Sequence, residues 1–315
     1  MFTAIIILNY NNSEDTIKCI ESVERYNSAD VKYIVVDNGS TRQSVVTEIS
    51  EYIKGKFSDS LIIKEGDSIP QYLPHVSFYV SSVNDGYAKG NNKGLNLAYS
   101  DDTIDNVLIL NSDILFVEDI IPKLKGTLVS LPNCAIVSPI LYKKDLLGID
   151  YNCARKNHKE WELILTYLFL YKDIFGIRSN YEAKRKMFVS NSSLTQNDLL
   201  PIELPSGSCM LMSKDLMSQI GGFDPRTFLY FEENILYKKI EKLGLQNYLL
   251  PKSKCIHLGA TSTQKVSGAF LLQCSLDSAS YYLTHYCNLT FIQKIVWNIS
   301  KVLFSIKIKL IRLIK

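Results

Sequence analysis

The sequence predicts an α/β protein with a mostly parallel central sheet flanked by helices, and three observations carry that expectation. Short apolar runs rich in β-branched residues recur at residues 3–9, 31–36 and 107–110. Such runs read as interior strands covered on both faces. Between them stand stretches whose apolar residues fall three and four apart, the period of an amphipathic helix. Alternation of the two implies right-handed βαβ crossovers. Finally, 46% of the 315 residues are hydrophobic, enough to bury a sizeable core.

In chain order, the strand at 3–9 is followed by a helix from Ser13 with Ile17, Ile20 and Val23 on one face. The strand at 31–36 runs into Asp37-Asn38-Gly39-Ser40, which is loop chemistry. A helix carrying Val45, Val46, Ile49 and Ile53 comes next, then short strands at 61–63 and 76–80. Residues 86–99 read as a glycine-rich loop feeding a helix, and 107–110, 135–137 and 209–212 complete the strand list. The pattern breaks at 142–204, which holds a tyrosine-rich helical stretch from Trp161 to Tyr171 and a polar segment at 190–198. We read this as an insertion beside the sheet, serving the acceptor side of a site. A further helix runs from Glu232 through Leu236, Ile240 and Leu243.

Charge narrows the function. The net charge is +3, but the last 25 residues hold six basic side chains and no acidic one; 35 basic residues less these six leaves 29, against 32 acidic. A body so balanced is not a nucleic-acid binder. The seven cysteines are scattered without a CxxC pair, so neither a disulfide framework nor a cysteine zinc site is expected. With no basic segment and cleavage site before the first apolar run, a cytoplasmic setting is expected.

The candidate site begins at Asn111-Ser112-Asp113, just beyond the strand at 107–110. Ligands of open α/β sheets bind at such carboxyl ends. A carboxylate there either holds a divalent cation, leaving coordination sites for phosphates and water, or caps a helix expected near Val117. The first strand ends in Asn9-Tyr10-Asn11-Asn12, without the glycines of a dinucleotide fold, and no P-loop exists. A nucleotide must therefore be held by polar side chains, a metal and backbone groups. The segment Asn84 to Gly94, with Gly86, Gly90, Asn92 and two lysines, suits that task. Gly221-Gly222-Phe223-Asp224 precedes Phe231-Glu232-Glu233-Asn234, where aromatic neighbours desolvate a carboxylate as a general base requires. His257 follows a late strand and is a candidate metal ligand beside Asp113.

Taken in order, these segments resemble family 2 glycosyltransferases of the GT-A fold, in particular the rhamnosyltransferase-like and galactofuranosyltransferase-like subgroup, over residues 1–265. The resemblance implies donor binding by Asn9, Tyr10, Asn11, Asp37, Asn38, Asn84, Gly86, Gly90, Asn92 and Asn111. It implies Mn²⁺ or Mg²⁺ on Asp113 and His257, with Glu233 as base and Glu232 beside it. The implied reaction moves rhamnose, galactofuranose or a hexose from a UDP- or dTDP-sugar to a lipid-linked or glycan hydroxyl, with inversion. The implied setting is bacterial surface polysaccharide, lipopolysaccharide or O-antigen synthesis. Two departures stand out. Asn111 replaces a frequent aspartate and Ile235 removes a carboxylate. These favour the competing expectation, a catalytically weak nucleotide-sugar-binding subunit of an assembly complex.

Residues 266–315 are expected as a helical extension. In its last part Lys294, Asn298, Lys301, Ser305, Lys309 and Arg312 fall on one helix face, with Ile295, Ile299, Val302, Ile306, Leu310 and Leu313 opposite. No uncharged run is long enough to span a bilayer. A basic amphipathic helix instead lies in an anionic interface, at roughly 1 kcal/mol per basic side chain plus apolar burial. Trp297 is expected at the headgroup boundary and Lys307 to snorkel. Peripheral attachment to the cytoplasmic face of the cell membrane follows.

Overall fold

Twelve strands and nine helices are set out by a computed structural model that describes residues 1–144, 148–171, 199–259 and 267–314. The polar segment at 190–198 and the expected boundary at 265 lie outside these. The strands are β1 (Phe2–Asn9), β2 (Val31–Asp37), β3 (Ser60–Lys64), β4 (Val76–Val80), β5 (Ile104–Asn111) and β6 (Ile114–Phe116). They continue with β7 (Cys134–Lys143), β8 (Ala154–Arg155), β9 (Leu200–Ile202), β10 (Leu204–Pro205), β11 (Cys209–Ser213) and β12 (Gln246–His257). The helices are α1 (Ser13–Tyr26), α2 (Gln43–Lys56), α3 (Gly86–Ser100), α4 (Ile121–Ser130) and α5 (Glu160–Leu168). After these come α6 (Lys214–Gln219), α7 (Glu232–Lys242), α8 (Gly268–His285) and α9 (Phe291–Ile314).

Ten strands form one sheet in the order β3-β4-β2-β1-β5-β11-β7-β12-β6, with β9 on β12. The first five are parallel neighbours; β11 runs against both β5 and β7. The continuous apolar reading of β1 has a direct cause: Ile5 and Ile7 enter the core under α1, α2 and α4, whereas Ala4 and Ile6 enter the one under α3, α6 and α7. Burying each such isoleucine is worth about 1.5–3 kcal/mol relative to leaving it in water.

Two expectations change. Residues 114–116 form β6, which pairs with β12, so the helix expected near Val117 starts at Ile121 and Asp113 caps nothing. Nor is the glycine-rich segment a loop, since α3 begins at Gly86. A Cβ on Gly90 would stand 2.7 Å from a methyl of Leu8, and one on Gly94 2.5 Å from a methyl of Ile6. Those glycines let α3 lie close on β1. Gly86 is different: its φ is +83° and a Cβ would strike the Phe228 carbonyl at 2.2 Å.

A third core joins α5, α8 and α9 through Leu163, Tyr167, Tyr282, Trp297, Phe304 and Ile308. Ile235 of α7 is buried in it, so the carboxylate missing there is a packing choice. Trp297 therefore does not reach a headgroup boundary: it is 3% exposed and meets the Tyr167 ring edge-on at 5.3 Å. Lys307 is likewise not stretched outward, for its ammonium donates to the Leu170 carbonyl at 2.6 Å. No helix among the described residues is long and apolar enough to cross a membrane.

Candidate functional site

The site forms where the strands end. Parallel registry puts Asn9 opposite Asp37 and Leu8 opposite Asn111, so the ends of β1, β2 and β5 are level. From Asn111 the chain turns and crosses to β12 as β6, whose Ile114 pairs with His257. That crossing brings Asp113 to His257 although 144 positions separate them in sequence and the Leu258 amide ties the turn by donating to the Asp113 carbonyl at 2.9 Å.

Asp113 Oδ2 lies 3.3 Å from His257 Nε2, and His257 Nδ1 lies 2.7 Å from Asp150 Oδ2. Burial disfavours the imidazolium, but the two carboxylates outweigh it and hold the His257 pKa up at about 10. Asp150 is correspondingly held below the usual carboxylate range, its own burial being outweighed by His257 and the Asn152 amide.

A cavity of about 420 Å³ opens over these groups. Of the residues singled out in the sequence, Asn9, Tyr10, Asn38, Asn84, Gly86, Asn111, Asp113 and His257 line it. Asn11, Asp37, Gly90 and Asn92 do not. Asp37 accepts from Asn9 Nδ2 at 2.7 Å and from the Ser40 amide at 3.0 Å. Asn11, at φ 55°, receives the Ser40–Arg42 turn, and Asn92 brackets both backbone groups of Phe223. Phe228, Phe270 and Leu271 close the cavity from the other side.

A second cavity, about 360 Å³, shares Tyr87, Asn111, Ser208 and Leu229 with the first. Glu233 lines it, with Oε1 accepting from the Gly207 amide at 3.1 Å and 3.3 Å from Arg155. The chain enters α7 through two consecutive left-handed residues, Tyr230 (φ 76°) and Phe231 (φ 68°), which aim Glu233 at the shared wall. The α5–α8 layer closes the far end through Tyr167 and Ser275.

Glu232 also lines this cavity but is buried, with one carboxyl oxygen unpartnered. Burial and the Glu233 charge push its pKa up to about 8. The folded protein thus holds a proton that the unfolded chain loses near 4.5. Stability from this group is complete below that value and lost as pH rises through about 8. Glu232→Gln is expected to melt a few degrees above the parent at pH 9 and to converge with it at acid pH. Thermal melts at both ends check this; a constant gap would show that Glu232 ionises normally.

The profile of the family described as "Glycosyl transferase family 2" matches residues 4–221. The chain belongs to that family. A low-salt glycan biosynthesis hexosyltransferase, Agl10 of Haloferax volcanii, is 23% identical to this glycosyltransferase over 232 residues, 73% of this chain and 58% of that protein. An N-acetylglucosaminyl-diphospho-decaprenol L-rhamnosyltransferase of Mycobacterium tuberculosis is 33% identical over 95 residues, 29% of this chain and 27% of that one. The chain thus spans under two thirds of the length of these curated relatives. Among solved structures, GalNAc-T7 with UDP, GalNAc and Mn²⁺ matches with a TM-score of 0.61 at 12% identity, over 90% of this chain and 48% of that one. The mannosyltransferase PcManGT of Pyrobaculum calidifontis, with GDP-Man and Mn²⁺, gives 0.55 at 12% identity, over 95% and 68%. The glycosyltransferase has the GT-A fold.

Divalent metal accompanies both of those neighbours, and the residues of this glycosyltransferase fit one. Two cis ligands of a cation at about 2.1 Å stand roughly 3 Å apart, close to the 3.3 Å between Asp113 Oδ2 and His257 Nε2. Among the described residues no cluster of three such side chains forms, so Asp113 and His257 are the side chains that would hold a cation there. Sequence reasoning missed Asp150, Arg155 and Phe270. Asp150 and Arg155 carried a signal, their place in the insertion assigned to the acceptor side.

Proposed function

We propose that this glycosyltransferase moves one sugar, a hexose, rhamnose or galactofuranose, from a UDP- or dTDP-sugar to a hydroxyl of a lipid-linked or polysaccharide acceptor. The setting we assign is surface-polysaccharide or O-antigen assembly at the cytoplasmic face of the cell membrane. One observation carries the reading: two cavities share a wall, with Asp113 and His257 in one and Glu233 in the other. The donor diphosphate belongs over Asp113 and His257, and the acceptor hydroxyl over Glu233. A bound Mn²⁺ or Mg²⁺ supplies charge stabilisation for the departing nucleoside diphosphate. Glu233 Oε1 takes the hydroxyl proton as the acceptor oxygen bonds to the anomeric carbon. The bond from that carbon to the diphosphate breaks on the opposite face, which inverts the configuration. Gly207 and Arg155 hold the Glu233 carboxylate at the wall. The relatives' printed activities, on hexosyl transfer and on a diphospho-decaprenol substrate, support the donor and acceptor classes.

The test is product mass and anomeric configuration after incubation with lipid-linked acceptors and a panel of UDP-, dTDP- and GDP-sugars with Mn²⁺. One added sugar with inverted linkage is expected. Binding of donors with no transfer to any acceptor would overturn the reading in favour of a binding subunit.

Asp150 enters this reading as the group that orients His257. Without metal the two carboxylates keep both ring nitrogens of His257 protonated; a cation at Nε2 would displace that proton, while Asp150 accepts from Nδ1 and keeps Nε2 turned toward Asp113. Asp150→Asn is expected to weaken Mn²⁺ affinity by about 10–100-fold, read by titrating the metal without donor. Unchanged affinity would reduce Asp150 to a brace of its own turn.

A further inference from the structure

We propose that the crevice between α8 and α9 takes the phosphate headgroup of an anionic lipid, on the flank of a helix whose exposed stripe lies in the bilayer interface. The proposal rests on the reading of the chain as a membrane-face transferase and names the surface that makes the contact. One face of α9 is spent on the protein itself, with Trp297, Phe304 and Ile308 at 1–3% exposure or less. A second apolar face is left over: Ile295, Ile299, Val302, Ile306 and Leu310 are 45–60% exposed and Leu313 is 81% exposed. A stripe this long is unusual on a solvated helix and marks an interaction surface. Its charge surroundings select the occupant, because α9 carries basic residues and no carboxylate.

At about 100° per residue, Lys294, Asn298 and Lys301 fall between the buried face and the exposed stripe. There a crevice of about 630 Å³ opens, lined by those three residues with Thr284 and Thr290 and by no acidic side chain. Two ammonium groups, an amide and two hydroxyls are donors suited to a phosphate. With the stripe seated in acyl chains, this crevice stands at headgroup depth. A soluble phosphate would meet the same donors, but the adjoining stripe commits the site to a lipid.

Flotation with phosphatidylcholine vesicles, with and without phosphatidylglycerol, tests this on the full chain. Ile299→Ser with Ile306→Ser is expected to abolish flotation; unchanged flotation would overturn the proposal by putting the membrane contact off this stripe, and a parent chain that floats with neither vesicle would sink the membrane reading itself. Lys294→Gln with Lys301→Gln is expected to cost about ten times more affinity for the anionic vesicles than Lys309→Gln with Arg312→Gln, since a fixed hydrogen bond to a charged phosphate outweighs diffuse attraction to the surface. Equal losses from the two pairs would leave only diffuse attraction and overturn the crevice proposal. So would glycerol 3-phosphate binding through Lys294 and Lys301 without vesicle binding, which would make the ligand a free phosphate. Thermal melts of each variant confirm folding.

Discussion

Glu233→Gln is expected to lower transfer by about 10²–10⁴-fold, the usual contribution of a positioned general base, while nucleotide-sugar binding stays nearly unchanged. The amide keeps the shape of the carboxylate and still offers Oε1 to the Gly207 amide, so the shared wall should survive. What it loses is the capacity to accept a proton from the acceptor. Glu233 lines the cavity on the Arg155 side, not the one over Asp113, which is why binding and turnover should separate. Turnover on an authentic acceptor, set beside donor affinity by calorimetry, measures both. Parallel losses would make Glu233 a donor-site or structural residue.

Asp113→Asn is expected to remove metal-dependent transfer, by about three orders of magnitude if the cation supplies several kcal/mol. The amide is neutral and removes the carboxylate that faces His257 Nε2 at the cation position. Chelator-treated protein titrated with Mn²⁺ provides the measurement: the parent should gain activity with added metal and the variant should not respond. Full parental rate at saturating Mn²⁺ would place the cation elsewhere. A simpler dissection, cutting the chain after Asn288, would mislead, because it strips Trp297, Phe304 and Ile308 from the third core.

What was legible in the sequence was local. The strands β1, β2 and β5 announce themselves as apolar runs, and their polar ends mark the site because backbone order fixes where a parallel strand stops. What was not legible depends on contacts between distant segments. Asp150 meets His257 across 107 positions, and no pattern near either residue records it. The glycines of α3 looked like loop material because their reason, the approach of a helix to Leu8 and Ile6, belongs to another segment. Trp297 matched an interfacial anchor by composition, and packing with Tyr167 overrode it. Asn11, Asp37 and Asn92 stand out by type, and the structure places them off the cavity lining, in hydrogen bonds that hold neighbouring loops, since polar groups near a site are needed as much to hold its loops as to touch a ligand.

The entry to α7 has a consequence for how this protein can evolve. Two adjacent left-handed residues with side chains cost of order 1–3 kcal/mol each, where glycine would make the same turn cheaply. The chain keeps Tyr230 and Phe231 there, rings that wall the cavity holding Glu233. A lineage selected only for heat resistance would drift toward glycine at position 230, gaining durability while losing a ring from the cavity proposed to take the acceptor. On the proposed reading thermal hardiness and acceptor fidelity are opposed at one dipeptide, and improvement in both at once has to be sought elsewhere in the molecule.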